Sequence, residues 1–484
     1  MLNRSNVLIT LGLEIHSQVN SDINKQTGQK LFSHSLNMSK EDIPNSHINY
    51  FDLAIPGTMP QLNLFCLQQA VKTGLALNAT IPHKSEFDRK HYFYPDLPAG
   101  FQITQNFYPI VKGGYIILKN GKKIRIHHIH LEADAGCSIH HDNYSLINYN
   151  RAMVGLMEIV TEPDMNSIEE CIEFVKELKL LLQYIKTCNC NMEEGNFRVD
   201  VNVSIRKNES DPLGTRVEIK NLNSFKFIET AIESEVERQI EIINNGEKII
   251  QETRGFDSTY GNSYSLRKKE TAPEYRYIWE PNIPPVIIED SFIVLVKASM
   301  EELPSEKRIR YQQYNIESAN IEILLENSIL RNYFEELLTI VSNKSLVVPL
   351  TNWLIGDLYG LCKKLDRNIE DYSKDFLIHI VTMIAEEKIS GKVGKIILEK
   401  SWLENTPPSI IVEKEDLWQV TDIKIIDTYT QEVIIEQNKK VAEYLESKDD
   451  RCLHFLVGCI IKKTLGKAAP NICRERCLIL LNSK

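Results

Sequence analysis

Five short segments of this 484-residue chain alternate polar and apolar residues, and the polar positions carry carboxylates, amides, cations and imidazoles. They are Leu11 to Gln18, Ile124 to Asp134, Leu156 to Glu162, Phe197 to Arg206 and Arg216 to Lys220. On a strand, successive side chains point to opposite faces, so Glu14 and His16 emerge together, about 6.5–7 Å apart along the chain. Arg198, Asp200, Asn202 and Ser204 share one face while Val199, Val201, Val203 and Ile205 share the other; Glu218 and Lys220 repeat the pattern. Strands of this kind joined in one sheet give a core on one side and a charged face on the other, suited to a hard cation and a phosphorylated substrate. Asp200 and Asn202 are oxygen donors of the type Mg²⁺ prefers, and Arg198 suits a phosphoryl oxygen.

The same residues have a plainer reading, since a solvated strand edge would carry Glu14 and His16 equally well. His128, His130, Glu132 and Asp134 fall on one face behind His127, which suits either a metal or an exposed hairpin arm. Phe87 to Asp96 interleaves Arg89, Lys90, His91 and four aromatic residues. Such a stretch can stack on an unpaired base and pair with a phosphate, or pack as a loop. No GxxxxGK[ST], strand-borne GxGxxG or HExxH occurs.

The elements that must position these groups are legible from period and punctuation. Asn120-Gly121 predicts a hairpin. A helix is expected from Ser167, with Glu170 at capping-box spacing, and a second from about Ser224 to Ile243, stopped by Asn245-Gly246. Ile287 to Val296 reads as one more strand. Beyond about Glu301 helix-period segments dominate, including Ile321 to Val341 and Phe376 to Glu387. The fold class expected is α+β. A sheet-rich unit spans residues 1–295, a helical domain 296–408, and a tail domain 409–484, with breaks at the 281–285 proline cluster and at Pro407-Pro408.

A net charge of −10 argues against a globally basic nucleic-acid coat, but Arg451 to Lys484 holds seven Lys or Arg against one Glu. Ten cysteines without a CxxC pair predict neither a disulfide framework nor a zinc ribbon, although Cys188/Cys190 and Cys473/Cys477 have spacings a metal could use. No long apolar run or presequence is evident, so a soluble protein of a bacterial cytoplasm is expected in preference to an organelle matrix.

Long motifs then add a resemblance. LGLEIHSQV from Leu11, FDRKHYFYPDLPAGFQITQ from Phe87, HLEADAG from His130, EIVTEPD from Glu158, MEEGNFRVDVNVS from Met192, GTRVEIKNLNSF from Gly214 and QETRGFD from Gln251 occur in order. So do YRY from Tyr275, EPNIPP from Glu280, FLVG from Phe455 and GKAAPN from Gly466. From about residue 8 to its end the chain resembles the GatB family, the tRNA-binding subunits of glutamyl/aspartyl-tRNA amidotransferases. The resemblance implies a cradle-like catalytic domain, a helical domain and a tail that engages tRNA. It implies ATP- and Mg²⁺-dependent phosphorylation of the side-chain carboxylate of Glu-tRNA(Gln) or Asp-tRNA(Asn), then amidation by ammonia from a partner amidase subunit. A small third subunit is implied as the link between the two large ones.

By motif match, the resemblance assigns Glu14, His16, Glu132, Glu158 and Glu218 to catalysis. The metal falls to Glu14, His16, Glu132, Asp200 and Glu218, and the nucleotide or tRNA terminus to Arg89, Lys90, Arg198, Asn202 and Lys220. Lys462, Lys463 and Lys467 are assigned to the tRNA body. Departures accompany it. Where family members often carry zinc-binding cysteines this chain has Ser33, Ser35, Asn49 and Asp52, so no structural zinc is expected. The family's HLEEDAG is HLEADAG, with Ala133, its V-P-L has Gly155, and its FPEPD reads Ile278-Trp279-Glu280-Pro281-Asn282. Ala133 and Gly155 motivate a second reading, a tRNA-binding module that has lost efficient chemistry. A stand-alone metal hydrolase built on His16 and the 127–132 cluster is a third. No amidase serine signature or glutaminase cysteine is evident, so ammonia is expected to come from the partner.

Overall fold

The computed structural model describes residues 2–20, 28–38, 43–257, 259–268 and 275–482. The chain divides into two compact units, Met1–Pro304 and Ser305–Lys484. The fold class is α+β: strands and three long helices in the first unit, helices through the second.

A nine-stranded sheet dominates the first unit. Its main strands are β1 (Leu8–Gln18), β2 (Lys123–Ala133), β3 (Gly155–Thr161), β4 (Phe197–Arg206), β5 (Val217–Leu222), β6 (Glu252–Asp257) and β7 (Asn262–Lys268). Their order is β7-β6-β5-β4-β1-β3-β2, with the short strands Val111–Lys112 and Tyr115–Ile117 beside β2. All pairs are antiparallel except β5 with β6. Asn120-Gly121 turns the chain from Tyr115–Ile117 into β2, with Gly121 at φ +83 and its N–H donating to the Leu118 carbonyl at 2.9 Å.

One face of the sheet is a core. Leu11, Leu13, Ile15, Leu131, Ile159, Val199, Val201 and Val203 are buried in a single apolar cluster. The helix α1 (Leu64–Ala76) joins it through Leu67 and Val71, α2 (Ile168–Tyr184) through Phe174 and Leu178, and α3 (Phe225–Asn244) through Ile228 and Ile232. The last two begin as their capping residues dictate. Ser167 accepts from the Glu170 N–H, and Ser224 from the Phe227 N–H. The Glu170 carboxylate turns to the Asn166 N–H (2.8 Å) and Lys122 Nζ (2.6 Å), so the reciprocal half of the box is replaced by an ion pair.

Two expectations are corrected. Ile287 to Val296 is not a strand: after the two-residue strand Val286–Ile287 the chain forms a helix, Asp290–Ala298. Its apolar residues surround the helix, with Phe292, Ile293 and Val296 packed on the core and Val294 and Leu295 exposed, which hides the helical period. Ile321 to Val341 is not continuous either. Asn327, extended at φ −105 and ψ 104, ends Ser318–Glu326 and caps Ser328–Ile340 by accepting from the Ile329 and Leu330 N–H groups.

In the second unit, Pro407-Pro408 opens the helix Pro408–Lys414. Residues between Ile426 and Leu481 share an apolar cluster of their own, in which Cys473 and Cys477 are buried one turn apart on Pro470–Asn482. Their spacing is that of a helix face packing inward. Lys463 pairs with Glu432 and Glu436, Lys467 pairs with Asp416, and Lys462 is exposed. Lys484 lies outside the described residues.

Candidate functional site

Register gathers the polar face. His16 on β1 stands opposite Glu158 on β3 and Arg198 on β4, and Glu158 stands opposite His130 on β2. Four side chains from four strands thus form one lateral row. In the next rows Glu14 is the partner of Asp200, and Asn202 the partner of Glu218, itself beside Thr253 of β6. Residues as far apart in sequence as 14 and 253 come to share one face because the pairing aligns strands whose side-chain period is two.

At one end of this face are two carboxylates and an imidazole. His16 Nε2 lies 3.4 Å from Glu158 Oε2 and 3.5 Å from Glu132 Oε1. One donor atom from each of the three lies within 4.8 Å of the others, and among the described residues this is the one such grouping. His130 Nε2 adds a contact of 3.2 Å to the same Glu158 oxygen. Burial opposes charge on Glu158, His16 and His130, but opposite charges in contact outweigh it. The Glu158 carboxyl is held well below its usual range by His130 and His16, despite burial. The His16 imidazole, which burial would depress, is raised by Glu158 and Glu132. His130, against the same burial penalty, is pushed up to about 10 by Glu158 and Glu132. His128 lacks such a contact; burial and the two flanking imidazoles bring it down to about 4. The histidine run is a hydrogen-bonded chain, His127 Nδ1 to His128 Nδ1 at 2.6 Å and His128 Nε2 to His130 Nδ1 at 3.1 Å.

Toward the other end, Lys220 Nζ sits between Asp200 Oδ2 (3.2 Å) and Glu218 Oε1 (3.3 Å). Those carboxylates overcome burial and raise the ammonium above its ordinary value. Asn202 Nδ2 donates to Glu14 Oε1 at 3.0 Å, and Thr253 Oγ1 to Glu218 Oε2 at 2.8 Å. Glu132 and Glu218 are each only 4 % exposed, so as anions they require such partners. Arg198 and Arg151 converge on Asp134 Oδ2 at 3.1 and 3.4 Å. Lys90 reaches in from the Asp88–His91 strand, 4.8 Å from the Tyr275 ring centroid. The cleft is about 580 Å³ and is hooded by Tyr92, Tyr94 and Tyr275.

Of the eleven positions assigned to catalysis, the metal and the nucleotide or tRNA terminus, the structure brings together ten: Glu14, His16, Lys90, Glu132, Glu158, Arg198, Asp200, Asn202, Glu218 and Lys220. Arg89 stands apart. Strand alternation sends it to the side opposite Lys90, where it forms a two-bond ion pair with Glu280 (2.6 and 2.9 Å) and stacks over Phe101 at 4.3 Å. It lines a separate cavity of about 280 Å³ with Phe51 and Pro56. Glu158, not Asp200 or Glu218, completes the tight trio with His16 and Glu132. Tyr92 and Tyr94 come from the aromatic and basic stretch read as able to stack on an unpaired base, whereas no site role was expected for Arg151, Thr253 or Tyr275. Thr253 was detectable as the polar partner of Gly255 in an alternating strand, whereas Arg151 lies in a short helical turn without periodic signal.

Ala133 and Gly155 are register partners on β2 and β3. Ala133 belongs to the apolar cluster, and a Cβ on Gly155 would meet Cys66 Sγ and Leu31 Cβ at 3.3 Å. Both departures therefore face the core, and neither removes a donor from the cleft. Ser33, Ser35, Asn49 and Asp52 do assemble: Asp52 Oδ2 accepts from Ser35 Oγ (2.7 Å), the Asn49 N–H (2.9 Å) and the buried Lys30 Nζ (3.0 Å), while Ser33 Oγ donates to Ser35 Oγ.

Residues 9–294 match the family model described as the GatB/GatE catalytic domain, and residues 332–479 match a GatB domain. The GatB subunit of the aspartyl/glutamyl-tRNA(Asn/Gln) amidotransferase of Ehrlichia canis is 41 % identical over 475 residues, covering 97 % of this chain and 96 % of the relative. Its counterpart in Rickettsia conorii is 42 % identical over 474 residues, covering 96 % and 95 %. That from Rickettsia canadensis is 43 % identical over 469 residues, covering 95 % and 94 %.

Proposed function

This chain belongs to the GatB family of aspartyl/glutamyl-tRNA(Asn/Gln) amidotransferase subunits, and on that premise we propose that its cleft phosphorylates and then amidates the side-chain carboxylate of a misacylated tRNA. The observation that carries the reading is the His16–Glu132–Glu158 trio at one end of a cleft whose walls present Arg198, Arg151, Lys90 and Lys220.

Two carboxylates and an imidazole within 4.8 Å fit a divalent cation, with the imidazole suiting Mn²⁺ as well as the Mg²⁺ expected. When bound, such an ion neutralises phosphate charge during phosphoryl transfer. The chain's own residues do the rest. Arg198 and Lys220, already raised above their ordinary values, stay charged and are placed to hold phosphoryl oxygens. The tyrosine hood and Lys90 suit the unpaired 3′ end of the tRNA. A substrate carboxylate oxygen forms a bond to the γ-phosphorus of ATP as the bond to the β-bridging oxygen breaks, releasing ADP. Ammonia then forms the C–N bond, the C–O bond to phosphate breaks with its electron pair, and the proton shed by nitrogen goes to the departing phosphate. We assign the ammonia supply to a partner amidase subunit, with a small linking subunit completing the assembly. No helix among the described residues is long and apolar enough to cross a membrane.

The test is release of ADP dependent on Glu-tRNA(Gln) or Asp-tRNA(Asn) by the reconstituted assembly. Glu158→Gln, which keeps the shape and removes the charge between two imidazoles, is expected to lower the rate at least a hundredfold, about 2.7 kcal/mol. A rate within fivefold of wild type would overturn the assignment of the trio.

A further inference from the structure

Thr253 reaches Glu218 from a strand whose outer neighbour is irregular. β7 closes one end of the main sheet and pairs only with β6. Between Thr253 and Arg254 that pairing shifts: Thr253 stands opposite Arg267 and Arg254 opposite Ser265, which leaves Leu266 as an extra residue. A bulge of this kind bends the strand and re-aims its side chains. Here Leu266 joins Thr253 in the lining of the cleft. The register of an edge strand is set from one side only, and a slip of one residue would turn its side chains to the opposite face. On the cleft side the shifted register seats the Tyr264 ring against Gly255, where an added Cβ would meet that ring at 2.6 Å.

The clamp lies behind the sheet. Alternation sends Arg254 to the α3 side, away from Thr253. Its Nε donates to Ser263 Oγ at 2.8 Å, its Nη2 to the Ser263 carbonyl at 2.7 Å and its Nη1 to Glu252 Oε1 at 2.5 Å. Glu252 Oε2 in turn accepts from Ser265 Oγ at 2.5 Å. One guanidinium therefore grips the edge strand at 263 directly and at 265 through Glu252, next to the bulge. The buried Glu235 of α3 lies 3.7 Å from Arg254 Nε, but it accepts from Arg238 at 2.7 and 2.8 Å and from Gln239 at 2.8 Å. Its charge is met without Arg254. Balancing Glu252 would take any cation, whereas holding a carbonyl, a hydroxyl and a carboxylate together takes a planar fork. On the cleft side, Glu218 has one oxygen 3.3 Å from Lys220 Nζ and the other 2.8 Å from Thr253 Oγ1, so Thr253 sets the rotation of that carboxylate. We infer that Arg254 is a positioning residue for the reaction: it keeps the β6–β7 bulge in register, and thereby keeps Thr253 bonded to Glu218, without touching substrate itself. The inference rests on the reading of the main cleft as the site of phosphorylation.

The test uses the reconstituted assembly, with ADP release dependent on Glu-tRNA(Gln) or Asp-tRNA(Asn) as turnover and amide hydrogen exchange as the report on the strand. Arg254→Lys keeps the positive charge beside Glu252 but cannot hold Ser263 and Glu252 at once. It is expected to lower kcat about fivefold with the KM for ATP within about twofold, and to keep the melting temperature within about 3 °C. Exchange in residues 262–268 should quicken about tenfold while residues 197–206 stay as in wild type. Thr253→Val, which removes the donor at the far end of the same chain of contacts, is expected to lower kcat about tenfold. The double variant should lie within about twofold of Thr253→Val alone, because both changes act through Glu218. A wild-type kcat in Arg254→Lys would reduce the residue to charge balance and overturn the inference. So would a raised KM for ATP with kcat unchanged, losses that multiply in the double variant, or a slow Arg254→Lys whose 262–268 exchange matches wild type. Absence of aminoacyl-tRNA-dependent ADP release by wild type would overturn the reading of the cleft instead.

Discussion

Replacing either member of the Lys30–Asp52 pair is expected to cost the first unit about 3–5 kcal/mol. Both side chains are fully buried, with Lys30 Nζ 3.0 Å from Asp52 Oδ2. At that distance and an effective dielectric of about 20 the attraction is about 5.5 kcal/mol, offset by the desolvation of two ions. The pair has little net worth against an apolar substitute, but one ion left alone loses the attraction and keeps the penalty. Burial already holds the Lys30 ammonium below its ordinary pKa in spite of Asp52, so the ion has no reserve. Asp52→Asn removes the counter-charge and leaves the ammonium neutral acceptors alone, the new amide oxygen and the Tyr149 carbonyl at 3.4 Å. Lys30→Met strands a carboxylate that keeps Ser35 and Asn49 as donors, and should be the milder change. The combined variant removes both charges and should recover most of the loss. Urea unfolding monitored by circular dichroism gives the values, and thermal unfolding of the single variants should fall by roughly 10 °C. A loss of less than about 1 kcal/mol in either single variant would refute this account, as would a double variant that loses the sum of the two. Zinc chelation is expected to leave the melting temperature unchanged, since this group offers hydroxyls and a carboxylate already bonded to an ammonium in place of thiolates.

Arg89→Met should destabilise the protein by about 2–4 kcal/mol, because Glu280, 1 % exposed, is left without its cation. The folded fraction should keep its KM for ATP within twofold; a tenfold rise would place Arg89 in the nucleotide site after all. Glu335 on Ser328–Ile340 is held down to about 2, burial notwithstanding, by hydrogen bonds from Arg310, Lys307 and the Tyr311 hydroxyl. A depressed carboxylate stabilises the fold above its ordinary value of 4.5 and loses that contribution as pH falls toward 2. Glu335→Gln should therefore be less stable than wild type at pH 6, with the gap closing between about pH 4.5 and 2. A gap that widens on acidification would contradict the assignment.

Much of the site was legible because its information is local. Two-residue alternation in Phe197–Arg206 and around Glu14 and His16 fixed which groups share a face, and it takes only a short stretch to see. Pairing is not local. Nothing in the alternation says that Glu158 stands opposite His16, and so the third member of the trio was not singled out as a metal ligand. The same alternation, carried through Asp88–His91, separates Arg89 from Lys90. The two misread segments in the fold have a common cause: periodicity is blind to an unbroken apolar run such as Phe292–Val296 within Asp290–Ala298, and to a side chain that caps a helix in mid-pattern, as Asn327 does.

The lateral row His130–Glu158–His16–Arg198 has a consequence for how such a protein can fail. A slip of one residue in β1 or β3 would swing acids and imidazole into oil and expose valines and leucines to water. Correct threading of the sheet and possession of the chemical groups are therefore one event. A chain that has mispaired its strands cannot linger as a half-competent enzyme releasing wrongly charged adaptors; it is left unfolded for the cell's proteases to remove.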